Sequence, residues 1–471
     1  MRPDGVPNRP TGESKASRAR RRLGTLTLLA GLLVPAAAPA HAASIAVARD
    51  AETEALIQDY ARPLFKVAGV RADSIQIFLI QNQSFNAFVA DPTRMFINTG
   101  TLIESETPGE VIGVLAHETA HIANGDLAGL RNAVQSARSA ALLGAVVGIG
   151  TAIAGSLAGG GGEFGGAGFG IAAGSAQFGQ RSLLAYQRTQ EAAADRAAIK
   201  YLDATGQSAA GMLKTMQRMA NQVLFAVQGA DPYTQSHPLP AERVANLESL
   251  VGKSRYRDRP DPPDLQRRHD LVRAKLIAFT MTPQQVGRRY AATDTSLPAR
   301  YARAIAAYRS GALAPAVKQI DGLIASEPGN PYFWELKGQA LLEGGRPAEA
   351  IAPLRKAVSL APRSGLLRIL LGQALVASGD RANMDEAIKN LTVGLQSDPD
   401  VPYGYRFLAR AYALRNDVAM AELATAQGLF ADGNIKEAQA HAARAQAKLK
   451  PGSPGWLRAD DIVSYKPPKK R

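Results

Sequence analysis

A 34-residue period in the C-terminal half constrains this chain more than any other feature: Pro328 and Pro362 are 34 apart, as are Ala316 and Ala350, and Gly338 and Gly372. Pro399 continues the series with three extra residues, which fit an insertion around Arg381 to Met384. A period of that length reads as two helices per unit, each unit burying its apolar face only by stacking on the next. Proline, which cannot continue a helix, closes a unit, and small residues at matched places let paired helices approach closely. About four units cover roughly 297–450, an all-α solenoid with a concave face suited to holding polypeptide segments or a partner protein.

The N-terminal half has no such period. Past residue 43 a helical stretch (49–67) leads to strand candidates at 74–80, 85–90 and 94–100, followed by helices expected at 109–126, 181–203, 207–226 and 240–251. The expected fold class is therefore α+β, a mostly helical domain over 43–253 with a small sheet, followed by the all-α solenoid. Residues 254–296, opening on the charged, proline-rich KSRYRDRPDPPD, read as a linker and bridging helix, and 451–471 as a basic tail.

The sequence VLAHETAHIANGD (114–126) places His117 and His121 four apart, with Glu118 between them, on an apolar helix. Residues i and i+4 share a helix face, so both imidazoles can reach one ion while Glu118 stands close enough to take a proton from water. Two neutral nitrogen ligands, an open position and a carboxylate base are what zinc-assisted hydrolysis requires, which makes one Zn2+ per chain the expected cofactor. In TQEAAADRAAIKYL (189–202), Glu191 and Asp195 lie one turn apart; Glu191 can complete a His, His, Glu set, and Asp195 can fix an imidazole tautomer. The chain has no cysteine, which excludes disulfides, thiolate ligands, a cysteine nucleophile and a deformylase-like site.

The chain opens with a basic cluster (Arg18, Arg20, Arg21, Arg22), an apolar stretch from Leu23 to Val34 and the small-residue site Ala40-His41-Ala42. That is the layout of a cleavable export signal over 1–42, and it places the mature protein outside the cytoplasm. Its removal takes seven basic and two acidic residues and leaves a net charge of +9. No basic patch is interleaved with aromatics, so nucleic acid is not an expected partner, whereas peripheral contact with an anionic membrane is compatible with the charge. Residues 139–180 carry a single charge, Glu163, and fourteen of the 44 glycines fall between Gly144 and Gly179. The tract fits an apolar lid or hairpin beside the site or an insertion without a role; with only seven Leu, Ile or Val in 139–158 it is a poor membrane span.

HETAH at 117–121 with EAAAD at 191–195 resembles the HtpX- and BepA-type gluzincin metallopeptidases over about residues 50–250. The units behind resemble the tetratricopeptide repeat, with Trp334, Gly338, Ala350, Ala357 and Pro362 on its offsets and Lys337 departing from the usual large apolar residue. The resemblance implies His117, His121 and Glu191 as zinc ligands, Glu118 as base and Asp195 behind the ligands; Ala193 stands where many relatives carry a second glutamate. SHPLPAERVANL (236–247) is similar to the family's His-Pro loop, so His237 is expected as a displaceable ligand or oxyanion donor, and Arg243 near the same oxygen or a ligand carboxylate. The implied activity is peptide-bond hydrolysis on unfolded or misassembled envelope proteins in the periplasm, with the repeats docking clients or an outer-membrane assembly machine. The alternative is a chaperone or adaptor in which the repeats do the main work and proteolysis is latent. RMFIN (94–98) reads equally as an edge strand along which substrate pairs, with Phe96 and Asn86 as binding residues, or as a buried strand of the sheet.

Overall fold

The computed structural model describes residues 47–135, 185–225, 237 and 241–467. The expected export signal (1–42), the glycine-rich tract (139–180) and the last four residues of the basic tail lie outside them.

The first described helix, α1 (Ala51–Val67), is capped by Asp50, whose carboxylate accepts from the Thr53 amide at 2.7 Å, and buries Leu56, Ile57, Tyr60, Leu64 and Phe65. Strands β1 (Val47–Ala48), β2 (Gln76–Ile80), β3 (Ala87–Asp91) and β4 (Arg94–Asn98) form one sheet in the order β1-β2-β4-β3. β2 and β4 run parallel, whereas β3 turns back antiparallel on β4. Asp91 drives that turn: its carboxylate accepts from the Thr93 amide at 2.9 Å and from Arg94 Nε at 2.6 Å. On one face Phe78, Phe96 and Phe88 stack in register at 5.1 Å, while Met95 and Ile97 enter the core from the other.

This order corrects one expectation. Of the two readings of RMFIN the buried strand holds: it is β4, hydrogen-bonded on both sides, and among the described residues the outer strands are β3 and, at the far side, β1. The tight turn at Asp91 leaves β3, not β4, outermost.

α2 (Thr99–Glu104) leads to α3 (Pro108–Asn124), which begins with proline at its first turn and ends at Gly125 in the left-handed region, φ 69°. Helices α4 (126–135) and α5 (185–204) are followed by α6 (Ala210–Phe225) and α7 (Ala241–Lys253). α3 and α6 cross almost backbone to backbone, since a Cβ on Gly211 would stand 2.3 Å from the Gly109 carbonyl carbon.

The expected linker is mostly helix. α8 (Pro263–Thr280) is largely buried, and α9 (Pro283–Arg289) carries a capping box between Thr282 and Gln285. Four antiparallel pairs follow: α10/α11 (Leu297–Arg309, Leu313–Ser326), α12/α13 (Pro331–Glu343, Pro347–Leu360), α14/α15 (Gly365–Ala377, Met384–Ser397) and α16/α17 (Pro402–Leu414, Val418–Ala431). The three-residue insertion is a short 3₁₀ turn, Arg381–Asn383. A shorter pair, α18 (Ile435–Gln446) and α19 (Pro454–Ser464), closes the array, so the tail expected from 451 begins only after Ser464. Proline and Gly455 let α19 start, and Ala459 and Ile462 bury against Leu423, Ala438 and Ala442.

Candidate metal centre

α3 carries three of the site's side chains. Its apolar residues Val111, Val114 and Leu115 are buried, which fixes the helix's rotation and turns His117, Glu118 and His121 into the interior beside α5. Nε2 of His117 and Nε2 of His121 are 3.0 Å apart. From α5, Glu191 places Oε2 3.2 Å from His117 Nε2 and Oε1 3.5 Å from His121 Nε2. His237 joins from the segment before α7, with Nδ1 3.0 Å from Glu191 Oε1. One donor atom from each of His117, His121, Glu191 and His237 lies within 4.8 Å of the other three.

A second layer holds these groups. Asp195 stands 3.0 Å from His117 Nδ1, and Asp126 stands 2.7 Å from His121 Nδ1, so each imidazole of α3 has its own carboxylate on the nitrogen facing away from Glu191. Such partners set tautomer and ring orientation. Arg243 of α7 donates to both oxygens of Asp195, at 2.6 and 2.9 Å, and lies 2.7 Å from Glu191 Oε2. The substitution at Ala193 leaves this untouched: Ala193 is only half-buried, and Asp195 already engages Arg243 and His117.

The electrostatics call for a cation. Burial disfavours charge on His117, yet Asp195 and Glu191 beside it overcome that and push its pKa up to about 10. Burial alone would raise Glu191, but His117 and His237 hold it well below the ordinary carboxylate range. His237 moves the other way, to about 4, because burial outweighs the pull of Glu191. Glu118 is fully buried, and neither of its oxygens has a hydrogen-bond partner among the described residues. Burial pushes its carboxyl up to about 8. Converging imidazole nitrogens and a carboxylate, with a buried Glu118 that makes no hydrogen bond among the described residues, fit a divalent metal with nitrogen and oxygen ligands.

The structure thus brings together His117, Glu118, His121, Glu191, Asp195, His237 and Arg243. It does not bring Asn86 or Phe96 there: the Asn86 backbone is tied to Thr101, and Phe96 is locked in the ring stack of the sheet. The strand residues beside the metal donors are Phe88 and Val89 of β3. Sequence reasoning also missed Asp126. Its signal was present in the carboxylate that follows the Asn-Gly stop of α3, but only the turn at Gly125 brings it back to His121.

Residues 48–251 match the model of peptidase family M48, and residues 301–365 that of a tetratricopeptide repeat. The chain is similar to the beta-barrel assembly-enhancing protease of Yersinia pestis, 23% identical over 86% of this chain and 82% of that protein. Its counterpart in Escherichia coli (strain K12) is 25% identical over 81% of this chain and 76% of that protein. Protease HtpX of Shewanella baltica (strain OS185) is 34% identical over 87 residues, 18% of this chain and 29% of that protein.

Proposed function

Since the chain belongs, through residues 48–251, to the metallopeptidases of family M48 and carries tetratricopeptide repeats behind that domain, we propose that it is an exported zinc endopeptidase. Its clients are unfolded or misassembled proteins of the bacterial envelope, and it acts in the periplasm in the service of outer-membrane protein assembly. The relatives, named beta-barrel assembly-enhancing proteases, support the role in assembly, and the basic and apolar N-terminal segment supports export.

The observation that carries the chemistry is the convergence of His117, His121 and Glu191 beside Glu118, whose oxygens make no hydrogen bond among the described residues and whose Oε1 lies 3.5 Å from His237 Nε2. Zinc held by the first three would supply Lewis acidity, polarising the scissile carbonyl and lowering the pKa of water to near neutrality. Glu118, whose burial raises its proton affinity, accepts the proton of the attacking water and returns it to the leaving amine. Asp195 and Asp126 hold the two imidazoles in orientation, and Arg243 fixes Asp195 and Glu191. An extended substrate pairs along the outer edge of β3, which presents main-chain groups next to the site. The repeats recruit clients or dock the enzyme on an assembly machine.

Zinc content should be near one per chain in both wild type and Glu118→Gln, while casein cleavage falls by roughly 100-fold or more in the variant. Equal cleavage by the two would remove this reading. A second reading, a chaperone or adaptor with latent proteolysis, draws on His237, which fills a fourth place in the donor group. It wins if Glu118→Gln restores every cellular function as well as wild type.

A further inference from the structure

Next to the metal donors lies a recess of about 190 Å³. At its inner end are Glu118, His121 and Glu191, the groups that would act on a peptide bond. Its walls come from three elements: Phe88 and Val89 of β3, Leu127 and Leu130 of α4, and Tyr186 of α5, the last joined by the neutral amides Gln187 and Gln190. Those five apolar residues are half-buried, so each presents apolar surface that the described residues leave uncovered. Gly129 sets one side: a Cβ there would stand 2.0 Å from the Tyr186 hydroxyl, so α4 and α5 meet with Tyr186 against the glycine.

The charge of the lining discriminates among occupants. No lysine or arginine is among the described residues that line the recess, so an acidic side chain would find no partner and would face Glu118, Glu191 and Asp126. Asp126 is already engaged by His121 and Glu191 by Arg243, and the remaining carboxylate of the lining, Glu118, is the base that the reaction itself needs, so a basic side chain that paired with it would block catalysis. A large apolar side chain meets neither cost and covers the five walls.

We propose that this recess receives a large aliphatic or aromatic side chain of one of the two residues flanking the scissile bond, and so makes the enzyme selective for cuts beside such residues. The inference rests on the peptidase reading above and deepens it. It also supplies a physical filter for clients: large apolar side chains are buried in folded proteins and reach an extended binding edge only when a chain is unfolded or misassembled.

The test is to digest casein with purified, zinc-loaded full-length protein and to map every cut by mass spectrometry. Wild type should show one fixed position next to the cut where Leu, Phe, Met or Ile is favoured at least about 10-fold over Asp, Lys or Gly. Leu130→Asp should lower cleavage at those sites by about 10-fold and shift the remainder toward Lys and Arg at that position. Should that variant fold poorly, Leu127→Ala, which only widens the recess, should move the preference toward larger rings. Cuts without side-chain bias, or an unchanged profile in zinc-retaining variants, would overturn the inference and leave the peptidase reading standing. A zinc-bound wild type that cuts nothing would remove both.

Discussion

Asp126 shows what a single carboxylate does once the chain has folded. It sits five residues after His121, across the left-handed turn at Gly125, and holds His121 Nδ1 at 2.7 Å. Removing such a partner costs roughly 10- to 100-fold in metal affinity. Asp126→Ala should therefore lose zinc to a competing chelator at correspondingly lower chelator concentration, with Asp126→Asn intermediate because its amide oxygen still accepts the hydrogen bond. Unchanged zinc retention in both would show that His121 needs no such support. His269 is the counterexample that no motif distinguishes. It is as buried as His117, yet its Nε2 donates to the Ser105 carbonyl at 2.9 Å and its Nδ1 meets the Tyr60 hydroxyl at 3.1 Å, which makes it a core residue.

At the scale of elements, close backbone approach decides where the ligands stand. α3 carries the two imidazoles, and its position against α6 depends on Gly211, where any Cβ would run into the backbone of Gly109 and Glu110 at 2.3 to 2.6 Å. Backbone cannot swing aside as a side-chain tip can, so Gly211→Val should force the helices apart at a cost of about 1–3 kcal/mol. Denaturant unfolding should show the loss, and zinc content should fall with it because α3 moves relative to Glu191. The repeats use the same device with side chains: Gly338 faces Leu354, and 34 residues on Gly372 faces Leu391, each with 2.4 Å to the nearest atom of an added Cβ. That repetition is the physical content of the sequence period.

The two halves are joined by α8, which buries Val272 and Leu276 against the N-terminal core and Leu271, Ala274 and Ala278 against the first repeats, and by buried charges around it. The described residues form one compact unit, and the start of α1 is seated on the repeats, where Ala51 joins their apolar cluster. Lys275 of α8 lies 2.5 Å from Asp50, 3.4 Å from Glu52 and 3.6 Å from Glu335 of α12, while Tyr301 of α10 donates to Glu52 at 2.8 Å. Arg49 reaches Glu54 and, across the junction, Asp398. Burial pushes the Glu335 carboxyl up to about 7, with Lys275 pulling it down and Asp50 and Glu52 adding to the rise. Glu52 is raised as well, again by burial first, whereas Asp50 is lowered because Lys275 overcomes its burial. A carboxyl raised in the folded state binds its proton more tightly there than in the unfolded chain. Its contribution is full below the ordinary value of 4.5 and is lost as pH rises through about 7; the contribution of Asp50 runs the other way, full above its ordinary 3.8 and lost below that. Glu335→Gln should flatten that fall, gaining on wild type between pH 5 and pH 8 by on the order of 3 kcal/mol in denaturant unfolding. Parallel pH profiles for the two proteins would show that Glu335 titrates normally.

What the sequence alone determined was local: the helical face that unites His117, Glu118 and His121, the one-turn spacing of Glu191 and Asp195, and the two-helix period of the repeats. Each follows from 3.6 residues per turn or from a repeat length, and each needs no knowledge of distant neighbours. Only the tertiary structure decided that Asp126 reaches His121, that β3 rather than β4 is outermost among the described strands, that Phe96 joins the sheet's ring stack, and that 454–464 is a helix instead of tail. Strand order, turn direction and burial depend on contacts between residues far apart in the chain, and no periodicity encodes those.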